Sequence, residues 1–394
     1  MKLFGLDRNI YVAGFVSLLM DISSEMIYPL LPMFLSSVLG VNKSLIGLIE
    51  GIAESTASVL KAFSGWLSDR LGRRKGLMMA GYAISALSRP IIALAAGWHA
   101  VLAGRFVDRA GKGVRTAPRD AIIAESTYSA SFGKAFGFHR GMDTVGAVIG
   151  PALAFFLLSA SNNNFREIFW ISLAPAVLAV LMIFTVREKK EKFVKYAGRP
   201  KLSTGRFDWR FKFFVVIVAL FSLGNSSDAF LILRTQQVGI PTALVPAVYL
   251  VYNSVYSLSS MPAGIAADRF GRRRIMLLGF ILFAVIYFAF GRWADRATIW
   301  IIFGFYGLFM GLTDGVQKAY LAEIIPPDMK ATAFGIYNTA AGLALLPASL
   351  IGGWLWDHVS PAATFYYGAV MAAMSAVLFI VFIVVVPKSG TDTK

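Results

Sequence analysis

The sequence predicts an all-α integral membrane protein: twelve transmembrane helices in two pseudo-symmetric six-helix bundles, with both termini cytoplasmic. Three observations carry the prediction. Hydrophobic residues make up 57% of the 394 residues and charged residues 15%, with a mean hydropathy of +0.65. That is the composition of a polytopic membrane protein and not of a soluble globule. Apolar runs near the ~20 residues that cross a bilayer follow one another along the whole chain. Finally, the polar break Gly65-Trp66-Leu67-Ser68-Asp69-Arg70-Leu71-Gly72-Arg73-Arg74-Lys75 returns as Gly264-Ile265-Ala266-Ala267-Asp268-Arg269-Phe270-Gly271-Arg272-Arg273-Arg274, offset by 199 residues. A chain that repeats itself at about half its length is two copies of one unit.

The first six spans fall at roughly 11–36, 44–67, 76–96, 99–119, 137–158 and 167–186, and the second six at roughly 213–235, 243–266, 275–291, 299–321, 333–355 and 364–386. This divides the chain into an N-terminal bundle (1–186), a basic cytoplasmic linker (187–212) and a C-terminal bundle with a short tail (213–394). The first apolar run is too long for a cleavable signal and is expected to remain as span 1. The linker holds ten Lys/Arg against three acids. Predicted outer loops hold only Lys43, Arg166, Arg292 and Arg296. This bias makes the linker side cytoplasmic, and it accounts for the net charge of +16 without nucleic acid. The chain has no cysteine, so disulfides and thiolate metal sites are excluded.

In each polar break a glycine, Gly72 or Gly271, allows a turn that a side chain would obstruct. The arginines that follow hold the loop in the cytoplasm. Asp69 and Asp268 end the preceding helices, where they can pair with arginines.

Ionisable residues inside a membrane are costly, so their positions are informative. Spans 6, 9 and 12 have none in their interiors, and span 3 has only Arg89, beside Pro90. Span 1 carries Asp21 and Glu25, four apart and so on one helix face, a placement that suits proton binding. Pro29 and Pro32 follow and loosen the helix. Span 7 carries Asn225-Ser226-Ser227-Asp228, which corresponds to Ile22–Glu25 and makes Asp228 the pseudo-symmetric partner of Glu25. Span 2 carries Glu50, Glu54 and Lys61, either in an ion-pair network with span 4 or in contact with substrate.

Span 4 is the most heavily charged. Arg105, Arg109 and Lys112 form one stripe at i, i+4, i+7, and Asp108 can pair with Lys112. Partners for its cations must come from spans 1 and 2 or from an anionic ligand. In span 5, His139, Arg140, Met142 and Asp143 cluster. His139 can relay protons; a soft metal could use His139 and Met142, but such a lone pair is more often structural, and no metal site is assigned. Span 10 carries Asp314, Gln317 and Lys318. Span 8 carries a stripe of Tyr249, Tyr252, Asn253 and Tyr256, which either contacts substrate or packs.

The two breaks, G-x-x-x-D-R-x-G-R-R-K and its second copy, resemble the loop 2–3 and loop 8–9 signatures of the major facilitator superfamily, and the resemblance covers the whole chain. It implies a cytoplasmic conformational gate made by Asp69, Arg70, Arg73, Asp268, Arg269 and Arg272. It also implies that spans 1, 4, 7 and 10 line a central cavity while 3, 6, 9 and 12 face lipid, the division that the buried charges follow. Arg105 and Gly111 match the superfamily's span-4 signature R-x-x-Q-G-x-G, linked to proton coupling, although Asp108 and Arg109 replace its Gln and Gly. Gly137-x8-Gly146-x3-Gly150-Pro151-x2-Ala154 is similar to its antiporter signature G-x8-G-x3-G-P-x2-G. Small residues there are expected to let helices 5 and 8 approach closely, with a bend at Pro151.

Together these features lead to the expectation of a proton-coupled secondary active transporter of the inner membrane, moving a small organic solute by alternating access and exporting it by substrate:proton antiport. Asp21, Glu25, Asp228 and Arg105 would couple protons. Glu54, Arg109, Lys112, His139, Tyr249, Asn253 and Asp314 would bind substrate. Proton-coupled uptake of an anionic or zwitterionic solute is the rival, followed by metal or metal-chelate transport and by a non-transporting sensor or scaffold. No enzyme signature or cofactor motif is present. The expected partners are a small-molecule substrate, protons and membrane lipid, with the protein acting as a monomer.

Overall fold

The computed structural model describes residues 7–71, 74–126, 132–187, 208–325 and 330–385, and among them there is no strand. Span 1 is α1 (Arg8–Ile27), α2 (Leu31–Met33) and a wide π-helical turn (Phe34–Val38). Then come α3 (Lys43–Leu71), α4 (Arg74–Ala93), α5 (Trp98–Glu125) and α6 (Phe132–Ala160), with span 6 made of α7 (Phe165–Ile171) and α8 (Leu173–Ile183). Span 7 is α9 (Trp209–Gly224) and α10 (Ala229–Gln237). A 3₁₀ turn (Thr242–Leu244) leads into α11 (Val245–Phe270), followed by α12 (Arg272–Arg292), α13 (Thr298–Ile324), α14 (Lys330–His358) and α15 (Pro361–Val385).

Among the described residues nine of these segments are long and apolar enough to cross a membrane. The helices α3, α5 and α11 fall short because they carry polar and ionisable side chains. Large apolar side chains such as Leu94, Phe156, Phe184, Val384 and Leu258 are exposed. An exposed apolar surface of this extent belongs against hydrocarbon.

Three spans depart from single continuous helices: span 6 is interrupted only at Ser172, and spans 1 and 7 more widely. Pro29 lacks the N–H that α1 would need, so the helix ends at Ile27 and resumes after a turn closed by Leu30 N–H donating to Ile27 O at 2.9 Å. Span 7, expected to be continuous over 213–235, is unwound across Asn225–Asp228. Short polar side chains offer the backbone alternative partners: Ser227 Oγ accepts from Ala229 N at 3.2 Å, and Ser349 Oγ accepts from Ser227 N at 3.2 Å.

The chain divides into two compact units: Met1–Val41, Ile52–Gly198 and Pro241–Leu250, and Asn42–Gly51, Arg199–Ile240 and Val251–Lys394. In the first, glycines bring α4 and α5 into backbone contact. A Cβ on Gly111 would lie 2.5 Å from Gly81 O and 2.6 Å from Ser85 N, and one on Gly104 would lie 2.5 Å from Ile92 Cγ1. The second unit is aromatic. Phe221 stacks on Phe280 at 4.6 Å, Phe283 on Tyr287 at 3.9 Å, and Phe290 on Phe365 at 5.3 Å. There Asp357 also closes the start of α3, accepting from Lys43 N at 3.1 Å and Ser44 N at 2.7 Å.

Each unit ends its third span with a half-buried arginine on the last carbonyls. Arg166 donates to Ala93 O and Ala95 O at 2.7 Å each, and Arg234 donates to Phe290 O at 3.1 Å and Gly291 O at 3.4 Å. Both cations offset the negative end of the helix dipole.

Gly111→Ala should destabilise the protein by about 1–3 kcal/mol, because backbone atoms on α4 cannot yield to the added methyl. At Gly137 an added methyl would meet nothing within 4 Å, so the same change there should be tolerated or gain slightly in helix propensity. Thermal unfolding of the two variants in detergent compares them directly.

Candidate functional site

The first unit holds its charges in two layers. In the upper one, Asp108 of α5 and Arg89 of α4 are buried together, Nη1 to Oδ1 at 3.1 Å, with the arginine side chain 2% and the aspartate side chain 5% exposed. Arg89 also donates to Ser23 Oγ from Nε and to Ser24 Oγ from Nη2, each at 2.9 Å. The serines between the two acids of span 1 therefore hold the span-3 arginine. Arg105 lies 3.9 Å from the other Asp108 oxygen. Arg109 pairs with Glu54 of α3 at 2.7 Å. Arg105 and Arg109 both approach the Tyr28 ring, at 5.6 and 5.9 Å from its centroid. Tyr249 lies 5.6 Å from Tyr28, ring to ring.

The expected Asp108–Lys112 pair is corrected here. Asp108 sits on the buried side of α5, where Arg89 reaches it, while Lys112 is on the exposed side. A buried carboxylate takes the partner that is buried with it. Glu54 and Arg109, both expected at the substrate, meet each other.

The lower layer centres on Ser17 of α1. Its hydroxyl lies 2.8 Å from His139 Nε2, 3.0 Å from Tyr82 OH and 3.1 Å from Arg119 Nη1. Arg119 also pairs with Asp120 at 2.9 Å, and Arg115 stacks over the Tyr82 ring at 4.5 Å and donates to Ser85 Oγ. His139 Nδ1 faces Asp143 Oδ2 at 3.6 Å.

Within the first unit, the glycine signature on α6 packs on span 1. A Cβ on Gly146 would lie 2.9 Å from Asp21 Cβ, and one on Gly150 would lie 2.6 Å from Glu25 Cβ. A Cβ on Gly137 would meet nothing within 4 Å, and Pro151 lies inside α6. The two glycines are small where α1 carries its two carboxylates, which is the physical reason for the pairing.

In the second unit Asp228 sits at the break in span 7 and accepts from Tyr306 OH at 2.7 Å. Asn253 is buried, and Tyr252 beside it stacks on Tyr306 at 5.2 Å. Asp314 accepts from Tyr256 OH at 2.9 Å and from Lys318 at 2.6 Å. In the second polar break Gly271 adopts φ +96°, and Arg272 bridges Asp268 at 3.1 Å and Glu323 at 3.0 Å. Arg269 lies over the Phe270 ring. Of the first break, Arg73 and the side chains of Asp69 and Arg70 lie outside the described residues, as do 188–207 of the linker.

Sequence reasoning gave no role to Arg89, Ser17, Tyr82 or Tyr306. Arg89 did carry a signal, as the lone charge in an otherwise uncharged span. The hydroxyls carried none, because serine and tyrosine are common in spans and only their partners distinguish them.

A helical membrane bundle with a repeated architecture and ion pairs threaded through its interior is built as a transporter. The sequence matches the Major Facilitator Superfamily over residues 13–252 and 213–394. It is 36% identical over 394 residues to an uncharacterized MFS-type transporter of Methanocaldococcus jannaschii, covering 95% of each chain. It is 25% identical to an inner membrane transport protein of Escherichia coli K12, covering 94% of this chain and 82% of the relative. Among solved structures, the fold is similar to a D-xylose-proton symporter, with TM-score 0.76 and 17% identity over 95% of this chain and 97% of that one. The chain belongs to the major facilitator superfamily.

Arg89→Ala should cost about 3–5 kcal/mol, since it strands a buried carboxylate. Removing Asp108 as well should recover much of that loss. A double-mutant cycle on thermal unfolding measures the coupling.

Proposed function

We propose that this protein is a proton-coupled secondary active transporter that exports a small organic solute across the cytoplasmic membrane by substrate:proton antiport. The observation that carries this reading is the seat of the span-5 glycines. Gly146 and Gly150, the core of the antiporter-like signature, lie directly on Asp21 and Glu25. Movement of span 5 and the protonation of these carboxylates then share one contact surface.

In this reading the chain crosses the membrane twelve times with both termini cytoplasmic, in keeping with its Lys/Arg distribution. It works as a monomer, and the halves 1–186 and 213–394, joined by the 187–212 linker, provide alternating access. Glu25, Asp21 and Asp228 exchange protons, and Arg105 sets the field around them. Substrate contacts come from Glu54, Arg109, Lys112, His139, Tyr249, Asn253 and Asp314. Asp69, Arg70, Arg73, Asp268, Arg269 and Arg272 gate the cytoplasmic side. Arg105 and Arg109 beside Tyr28 support a second reading, uptake of a small anionic or zwitterionic solute with a proton, since two buried guanidiniums would hold a carboxylate.

Proteoliposomes with a luminal pH dye and a compound library outside separate the two. Antiport predicts compound-triggered proton release from an acid-loaded lumen; symport predicts compound-triggered acidification. Glu25→Gln combined with Asp228→Asn should abolish uphill movement driven by the pH gradient. Retained uphill transport in that variant would refute the assignment of the coupling carboxylates.

A further inference from the structure

Ser17, Tyr82, His139 and Asp143 come from spans 1, 3 and 5, and Arg119 of span 4 meets them at one hydroxyl. Ser17 and Tyr82 are 2% and 0% exposed, and His139 is 4% exposed. A serine hydroxyl has one hydrogen and two acceptor lone pairs. Arg119 always donates, so it occupies one lone pair of Ser17. One hydrogen and one lone pair remain for His139 and Tyr82. One of these two neighbours therefore donates to Ser17 and the other accepts from it.

The direction is set by His139. With an ionised Asp143 facing Nδ1, the neutral ring carries its proton on Nδ1, and Nε2 accepts from Ser17. Tyr82 then donates to Ser17. When the His139–Asp143 pair takes up one proton from water, Nε2 carries hydrogen. This holds whether the added proton completes an imidazolium beside a carboxylate or leaves Asp143 protonated and donating to Nδ1. His139 then donates to Ser17, Ser17 donates to Tyr82, and the Tyr82 hydrogen must turn elsewhere. Besides the single added proton the change needs only hydroxyl rotations and, where Asp143 ends protonated, transfer of the Nδ1 hydrogen to its carboxylate.

We propose that the His139–Asp143 pair of span 5 is a further proton-carrying site, whose loading reverses the hydrogen-bond chain through Ser17 to Tyr82 and so ties protonation to the packing of spans 1, 3, 4 and 5. The inference rests on the proton-coupled reading above and adds a carrier to it.

Three features support it. Asp143 is the most exposed of the chain's members, at 15% for its side chain, and its Oδ1 is buried with no hydrogen-bond partner. The α1–α6 seam is tight on both sides of the pair. A Cβ on Gly14 would lie 2.8 Å from Phe138 Cε1 and 3.1 Å from Met142 Cγ, and Gly146 lies against Leu18 O and Asp21. The pair is therefore held at fixed depth. The charged groups facing it are Asp21 of span 1, Arg115, Arg119 and Asp120 of span 4, and Arg140 of span 5 itself, with Tyr82 from span 3. Arg119 is already committed to Asp120 and Ser17, so the variable charges here are those of the pair and of Asp21.

Infrared difference spectra of the purified protein in nanodiscs, recorded through a pH titration, test this without substrate or gradient. They remain readable even if the transport experiment on Glu25 and Asp228 fails. The expected result is a carboxyl and an imidazole signal that change over one pH interval, accompanied by a shift of a tyrosine phenol band. Asp143→Asn should remove the carboxyl component that changes together with the imidazole signal, and leave those of Asp21, Glu25 and Asp228. Ser17→Ala should keep the titration and lose the tyrosine shift. Should Asp143→Asn not fold, His139→Gln should move the carboxyl midpoint by about one unit, as expected for coupled groups, and abolish the tyrosine shift. An unchanged carboxyl signal in Asp143→Asn, an unchanged midpoint in His139→Gln, or a tyrosine shift that survives Ser17→Ala would each overturn the proposal.

Discussion

The buried ion pair between Arg89 and Asp108 is the constraint on which the first unit depends. Neither residue can sit in hydrocarbon alone. Their meeting requires α4 and α5 to approach closely, and Gly81, Gly104 and Gly111 permit that approach. Once joined, the pair leaves Arg89 donors pointing at Ser23 and Ser24, which fixes α1 beside α4. Ser85 extends the arrangement by donating to the Asp108 carbonyl at 3.0 Å and accepting from Arg115 at 2.9 Å. Packing and electrostatics in this unit are thus one network, and the carboxylates of span 1 hang from its edge.

Much of the architecture was legible in the amino-acid order. The half-length repeat, the long apolar runs and the charges confined to certain spans all report directly on a bilayer, which punishes misplaced polarity more sharply than water punishes exposed carbon. Pairings were less legible. Asp108 and Lys112 have the right spacing, but spacing along one helix says nothing of which face is buried, and Arg89 on another helix decided the matter. Gly146 and Gly150 announced close packing without announcing the partner. Asn225–Asp228 read as a polar stretch within a helix. The unwinding follows from side chains competing for backbone groups, a local contest that an apolar window average does not register.

That break places Asp228 differently from Glu25, although the two correspond in sequence. Glu25 lies on a continuous helix under a glycine, whereas Asp228 lies where the backbone leaves the helix and meets a tyrosine hydroxyl. Sequence symmetry between the halves therefore does not carry over to equal surroundings, and the corresponding carboxylates of the two units have different neighbours.

The same divergence runs through the interiors as a whole. One unit is held by guanidiniums, carboxylates and hydroxyls, while the other is held by interlocked rings such as Phe221, Phe280, Phe283 and Phe290. Ring packing has no protonation state and is indifferent to the acidity of either compartment. The two halves of one repeat thus cohere by different means, one through contacts that change with charge and the other chiefly through contacts that do not, with its charged groups such as Asp228 and Arg272 set around the rings.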